Sequence, residues 1–467
     1  MAFKLSKMKK IILYILVALS FYGCDTDDWL AEKSQKDYVV PETLIDFQAI
    51  LDYQARTHNV FSNEGLVSAD DFYLEDTGFN SEQEETRNIY SWNEEVWVNG
   101  VSAAWNNFFA IIFKSNAVIE GLNNNEQKLS TNQEEYNNIL GQAYFYRAIS
   151  FYNLAQIYCK TYDSQRSSSD LGLPLRESSD VNIIYQRSNV EDTYQFILKD
   201  IDKAISLLPT QGKHNRRPNK VAATALLAKV NLVMEEYMNA FKYADESLNL
   251  NPALLDFNSP YINRNSTYCF ESRGYNHPEI LFFASTERQT MVLPYNRSNG
   301  FVSNELFQQY DENDLRQSTF FIASGTAYKY RGAYTGSLAS FCGIANNEIY
   351  LILAESAVRI GNDQVALDAI NQLLSNRYSS GTFIPYVDIK GEDLLKLILR
   401  ERRKELVGVG NLRWEDLRRL NKDSRFQTVL SRVINSVEHT LSPNDNKYVF
   451  PIPEEETQSS GLEQNPR

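Results

Sequence analysis

The chain has 467 residues, a formal net charge of -14, 43% hydrophobic and 23% charged residues. That composition is globular, not disordered, and is enough for one large domain or two to three ordinary ones. So acidic a surface excludes nucleic acid as a partner, because phosphate binding needs a basic face.

The first element is a leader. Lys4, Lys7, Lys9 and Lys10 precede an apolar run from Ile11 to Phe21, too short to span a bilayer and followed by Gly23-Cys24. The order predicts a signal peptide over residues 1–23 and resembles a bacterial lipobox, making Cys24 the lipidated mature N-terminus. Acyl chains there would tether a soluble domain to a membrane surface. The remaining cysteines, Cys159, Cys269 and Cys342, are odd in number and lack C-x-x-C spacing. Neither a disulfide framework nor a zinc site is indicated, and no metal or cofactor is expected.

Downstream the pattern is mostly helical. Pro41–Gln54 opens on Pro and places Leu44, Phe47, Ile50 and Leu51 at helical spacing. Helices are predicted over Trp105–Leu122, over Tyr136–Tyr158, whose many aromatics imply packing on more than one side, and over Val190–Leu208 before Pro209. Two later stretches share a register: Thr224-x2-Leu227-Ala228 with Ala240-x3-Ala244, and Tyr350-x2-Leu353-Ala354 with Ala366-x3-Ile370. In both, the inner alanines lie 12 residues apart, close to the tetratricopeptide pattern, with a weaker echo at Leu140-Gly141-x2-Tyr144. The segment from about 253 to 340 is loop-rich, with one β-prone run at Glu279–Thr286. The expected fold is thus mostly α, a tetratricopeptide-like repeat scaffold with long irregular insertions and a few short strands. Binding is expected on the insertions.

Catalytic signatures are absent. His58, His214, His277 and His439 are scattered, and no nucleophile elbow, Walker loop or dinucleotide fingerprint occurs. Acid pairs such as Asp70-Asp71 are expected by chance among 60 acidic residues. A sugar ring offers apolar faces and a hydroxyl rim, which calls for an aromatic platform beside amides or Arg. Trp92 with Asn93 and Trp97 with Asn99 fit, as do Tyr275 with Asn276, and Tyr295 with Asn296 and Arg297. Trp105 and Trp414 lie inside helical motifs and are assigned to the core.

Several segments, in order, resemble the SusD/RagB family of Bacteroidetes outer-membrane lipoproteins: "WNNFFAIIFKSNAVIEGL", "GQAYFYRAISFYNLAQIY" with "LGLPL", "HPEILFF", and "LFQQYDENDLRQSTFF" with its Tyr-Asp-x-Asn-Asp-x-Arg element. "NEIYLILAESAVRIGN", "ERRKELVGVGNLRWEDLRRL" and the closing "YVFPIPEEETQSSGLEQNPR" complete the series. One departure is Val409, before Gly410, where the family usually has an acid. The resemblance implies a single SusD-like domain over 24–467, lipid-anchored on the outer membrane and facing outward. It also implies an oligosaccharide ligand passed unchanged to a TonB-dependent SusC-like barrel, so no enzyme is expected. The acids after Cys24 (Asp25, Asp27, Asp28) would then be a surface-export signal. A peptide-binding or protein-interaction scaffold of the same architecture, and a hydrolase with an unrecognised site, are the competing readings.

Overall fold

In the computed structural model, the described residues are 41–53, 58–271, 274, 277–288, 290–292, 298–332 and 334–467. The leader and Cys24 lie outside them. The main helices are α1 (Leu44–Leu51), α2 (Ala103–Asn124), α3 (Gln133–Tyr158), α4 (Val190–Leu207) and α5 (Lys220–Val233). They continue as α6 (Tyr237–Leu250), α7 (Asn346–Arg359), α8 (Asp363–Ser375), α9 (Gly391–Glu405) and α10 (Leu412–Leu420). The fold is mostly α, as expected.

Side-chain oxygens that accept from otherwise orphan N–H groups set several helix starts. Thr43 forms a capping box with Asp46, and Ser102, Asn132, Asn189 and Asn219 cap α2, α3, α4 and α5. Consecutive helices then pack pairwise: α3 with α4, α5 with α6, α7 with α8. Within these pairs the two members differ. In α5 every residue from Val221 to Val233 is buried, whereas α6 buries only Ala240, Ala244, Ser247 and Leu248. Helices α7 and α8 repeat the contrast. An inner helix enclosed on all sides has no amphipathic stripe, which is why the aromatics of α3 overfill one face. Ala228, Ala240, Ala354 and Ala366 are fully buried, as close helix approach requires. The weaker echo belongs to the α3–α4 pair: a Cβ on Gly141 would stand 2.9 Å from Leu208 Cγ and 3.0 Å from Leu207 Cβ.

The strands are short and pair two by two, all antiparallel. They are β1 (Phe72–Leu74), β2 (Leu171–Pro174), β3 (Arg187–Asn189), β4 (Ile280–Phe282), β5 (Ser285–Arg288) and β6 (Gly300–Val302). Then follow β7 (Phe321–Ser324), β8 (Ala327–Tyr330), β9 (Ala339–Phe341), β10 (Ile344–Ala345), β11 (Leu430–Ile434) and β12 (Val437–Leu441). Between α6 and α7 the chain therefore builds strands β4 to β10 and short helical turns. Strand β6 pairs back onto β1, joining this region to the N-terminal part.

A buried set of charges fastens that region to the repeats. Arg316, fully buried, meets Asp314 at 2.7 Å, Glu401 at 2.6 Å and Glu405 at 3.2 Å. Arg377 bonds the same Glu405 at 2.9 Å and Glu279 at 2.7 Å, and Lys404 adds Asp314 and Glu401. Burial opposes the Arg316 charge, but the three carboxylates outweigh it and hold the guanidinium well above its ordinary range. Asn347 of α7 and Tyr334 complete the hydrogen bonding to Glu405 and Glu279. Val409, at the departure noted in the sequence, packs half-buried against the core.

Glu405 is the carboxylate shared by both arginines, so Glu405→Gln leaves two buried guanidinium groups undercompensated. Removing one partner of such a buried set costs about 3–5 kcal/mol. Chemical denaturation of the variant is expected to show a loss of that order, and a loss below ~1 kcal/mol would show that the network relaxes around the amide.

Candidate functional site

The loop singled out by its tryptophans is held from far along the chain. Arg432 of β11 donates to the carbonyls of Val67, Ser68, Ala69 and Tyr90. Its guanidinium lies 3.8 Å from the Tyr90 ring centroid and 4.3 Å from that of Trp92. Burial pushes this guanidinium down to about 10, and the neighbouring rings and carbonyls take the place of a carboxylate. Trp92 is only 3% exposed and donates its Nε1–H to the Ser68 carbonyl at 3.1 Å. With one face covered and its N–H satisfied internally, Trp92 is a core residue and not an exposed platform.

The other residues of the loop differ. Trp97 is half-buried, stacks on Phe450 at 5.8 Å and donates to the Pro451 carbonyl at 2.7 Å. It lines a cavity of about 230 Å³ with Pro451, Ile452, Glu454 and Gln464. Asn93 and Asn99 are exposed, the latter at a φ of 57°, a left-handed turn position that Asn tolerates. Tyr275, Asn276, Tyr295, Asn296 and Arg297 lie outside the described residues. Trp105 and Trp414 are buried, as expected.

Beside this loop lies a polar cleft of about 370 Å³ that no sequence motif announced. Three segments form it: Val60–Glu64, Ser81–Thr86, and the first turns of α2. The last contributes Ala103 and Ala104, too small to fill the space, and Asn107 one turn further on. The Val60–Glu64 segment is positioned from both ends. Phe61 bonds the Ser285 carbonyl of β5 at 3.3 Å, and Asn411 bridges Ser62 and the N–H groups of Gly65 and Leu66. Asn411 thereby caps the short helix Glu64–Ser68 that Asn63 leaves uncapped, while Arg432 takes the carbonyls at its far end. The close approach is enforced at Gly65, where a Cβ would stand 2.8 Å from Trp414 Cβ.

The lining carries Glu64, Glu82 and Glu85 together with Ser62, Asn63, Gln83, Thr86 and Asn107, and no Lys, Arg or His among the described residues. Glu82 is held by Asn299 at 2.9 Å. Glu85 accepts from the Val98 backbone, so the tryptophan loop borders the cleft directly. Burial, with the charge of Glu64 second, pushes the Glu85 carboxyl up to about 7 against the backbone bond that favours its ionised form. Such a wall accepts hydrogen bonds from hydroxyl groups and repels anions. The run "NSEQEET", polar throughout, was the available hint in the sequence.

Comparison with known proteins fits this architecture. A family model described as starch-binding associating with outer membrane matches residues 28–232, and one described as the SusD family matches residues 300–467. The chain belongs to the SusD/RagB family. Among relatives of this family, SusD-like protein P2 of Formosa agariphila is 23% identical over 482 residues, covering 88% of this chain and 91% of that protein. A SusD superfamily protein from Bacteroides thetaiotaomicron superposes with a TM-score of 0.73 at 23% identity, covering 91% of this chain and 100% of that one. Surface glycan-binding protein A from Bacteroides fluxus gives 0.69 at 17% identity, with 91% and 100% covered.

The raised Glu85 carboxyl sets a pH dependence. Between its ordinary 4.5 and about 7 the folded protein holds a proton that the unfolded chain has released. Stability from this group is therefore present at low pH, falls as pH rises through that window and is gone above it. Glu85→Gln is expected to raise the melting temperature at pH 8 and leave it unchanged at pH 4. Equal effects at both pH values would show that Glu85 ionises normally.

Proposed function

We propose that this protein is a cell-surface glycan-binding lipoprotein of an outer-membrane uptake system. Anchored through Cys24 and facing outward, it captures a neutral oligosaccharide and passes it, chemically unchanged, to a TonB-dependent SusC-like barrel. Membership of the SusD/RagB family on both halves of the chain carries this proposal. The outer-membrane association in the family description and the glycan binding named for the Bacteroides fluxus neighbour support it.

The cleft narrows the ligand class. Its carboxylates and amides offer acceptors and donors to sugar hydroxyls, and the lack of a cation among its described lining disfavours uronates and sulfated sugars. Trp97 supplies the half-exposed ring of the neighbouring cavity, and an aromatic contact of this kind is worth about 0.5–1.5 kcal/mol. The residues Tyr275, Asn276, Tyr295, Asn296 and Arg297 remain proposed contacts, with Asn93 and Asn99 at the loop surface.

Calorimetric titration against a panel of neutral and uronate-containing oligosaccharides tests the proposal. A neutral ligand is expected to bind and to be recovered intact by mass spectrometry. The double variant Gln83→Ala, Asn107→Ala is expected to bind it about tenfold more weakly, a loss of about 1.4 kcal/mol. Preference for uronates, or undiminished binding by the variant, would remove the cleft from the binding role.

Fractionation of cells tests the anchor. Cys24→Ala is expected to leave the membrane fraction, and its retention there would overturn the lipobox assignment.

A further inference from the structure

The chain between β2 and β3 is polar from Arg176 to Asp180 and turns apolar directly after it, with Val181, Ile183 and Ile184. Its polar half is fixed to α2. Asn116 donates its amide to the carbonyls of Arg176 and Ser178 at 2.9 and 3.0 Å, and accepts from Arg147 on its Oδ1 at 2.9 Å. Glu120 accepts from the Ser179 N–H at 3.0 Å and also from its hydroxyl. Arg176 lies 4.3 Å from the Phe109 ring centroid and meets Glu456 at 2.5 Å. Asp180 then accepts the Asn182 N–H at 2.9 Å, the side-chain turn that carries the chain into its apolar half.

That apolar half is held out in water. Val181, Ile183 and Ile184 are 80%, 45% and 65% exposed, and Phe113 of α2 is 44% exposed. All four line one groove of about 270 Å³, together with Phe109 and Ile112. Exposed apolar side chains gathered around one groove mark an interaction surface, where scattered ones do not. The polar lining has little left for sugar hydroxyls. Asn116 is spent on the loop carbonyls, Arg176 and Glu456 on each other, and the Ser460 hydroxyl on Glu456 at 2.6 Å.

Charge selects the occupant. Arg176 is paired with Glu456, while the exposed Glu177 and Asp180 make no ion pair among the described residues. The bonds that Asp180 accepts come from the N–H and amide of Asn182, which hold its carboxyl below the ordinary range and ionised. A second copy seated face to face would bring these carboxylates together, on chains of net charge -14. An anionic lipid surface would meet the same repulsion. Residues 25–40 carry five acids to two lysines, and Asp27-Asp28 directly precede their Trp29-Leu30 pair. An apolar segment flanked by cations is attracted where these three are repelled.

We propose that this groove docks a segment of a second protein whose apolar side chains are flanked by Lys or Arg. The apolar side chains enter between α2 and the Val181–Ile184 tip, and the cations meet Glu177 and Asp180. The surface is separate from the polar cleft, whose lining shares none of these residues.

Fluorescence anisotropy tests the docking, with the full protein titrated into a short helical peptide bearing leucine on one face and lysine on the other. Saturable binding is expected, at least tenfold tighter than that of the leucine–glutamate counterpart. The double variant Val181→Ser, Ile184→Ser is expected to weaken the lysine peptide at least tenfold. Ile384→Ser, Val387→Ser, at comparably exposed apolar positions after α8, is expected to leave it unchanged. Asp180→Asn keeps the acceptor of the turn, removes the charge and is expected to narrow the preference between the two peptides. No saturable binding, undiminished binding by the groove variant, equal weakening by both double variants, or an unchanged preference in Asp180→Asn overturns the proposal. Three further results overturn it by assigning another occupant. Self-association of the protein alone that the groove variant abolishes assigns a second copy. Flotation with phosphatidylglycerol vesicles that the same variant abolishes assigns a lipid surface. A tenfold gain in peptide affinity on deletion of residues 25–36 assigns the chain's own segment.

Discussion

Glu405 stands between two buried arginines, and much of the architecture depends on that arrangement. Arg316 comes from the strand-rich region, Arg377 follows α8, and Glu405 ends α9. Each charge has been taken out of water, so none is tolerable without the others. Helices of the repeat type stack on small residues and apolar area, which fix their spacing but not what is inserted between them. The charge set supplies that second kind of information. It fastens the segment between α6 and α7, through Glu279, Asp314 and Arg316, to one place on the scaffold.

A second buried set extends the same logic along α7, α9 and α10. Arg402 and Arg419 share Asp416, and Arg419 also engages Glu355, which Arg359 reaches from the next turn of α7. Burial raises Asp416, but the two arginines outweigh it and hold the carboxyl down at about 2. These carboxylates therefore remain charged throughout the ordinary pH range, and the helix ends they join stay in register.

The helices were legible in the sequence because their causes are local. The alanine spacing of α5 to α6 and α7 to α8 and the Pro ending of α4 act over a few residues. Glu279, Asp314, Arg316, Glu401, Lys404 and Glu405 lie in the quoted motifs "HPEILFF", "YDENDLR" and "ERRKEL", but Arg377 lies in none, and nothing local says that they meet. Trp92 shows the limit. A tryptophan in a polar stretch reads as a loop residue, but its environment is set by Arg432, far downstream. The cleft escaped for the reverse reason: Glu82, Gln83, Glu85 and Thr86 are ordinary surface residues until Asn411 and β5 bring Val60–Glu64 alongside.

Arg432 and Asn411 grip the helix Glu64–Ser68 at its two ends from the last part of the chain. During synthesis the residues that line the cleft emerge early, yet the side chains that shape it come near the end. The nascent N-terminal portion therefore has the polar groups of the cleft without the geometry that brings them together. The cleft takes its shape only once residues 411 and 432 have been made.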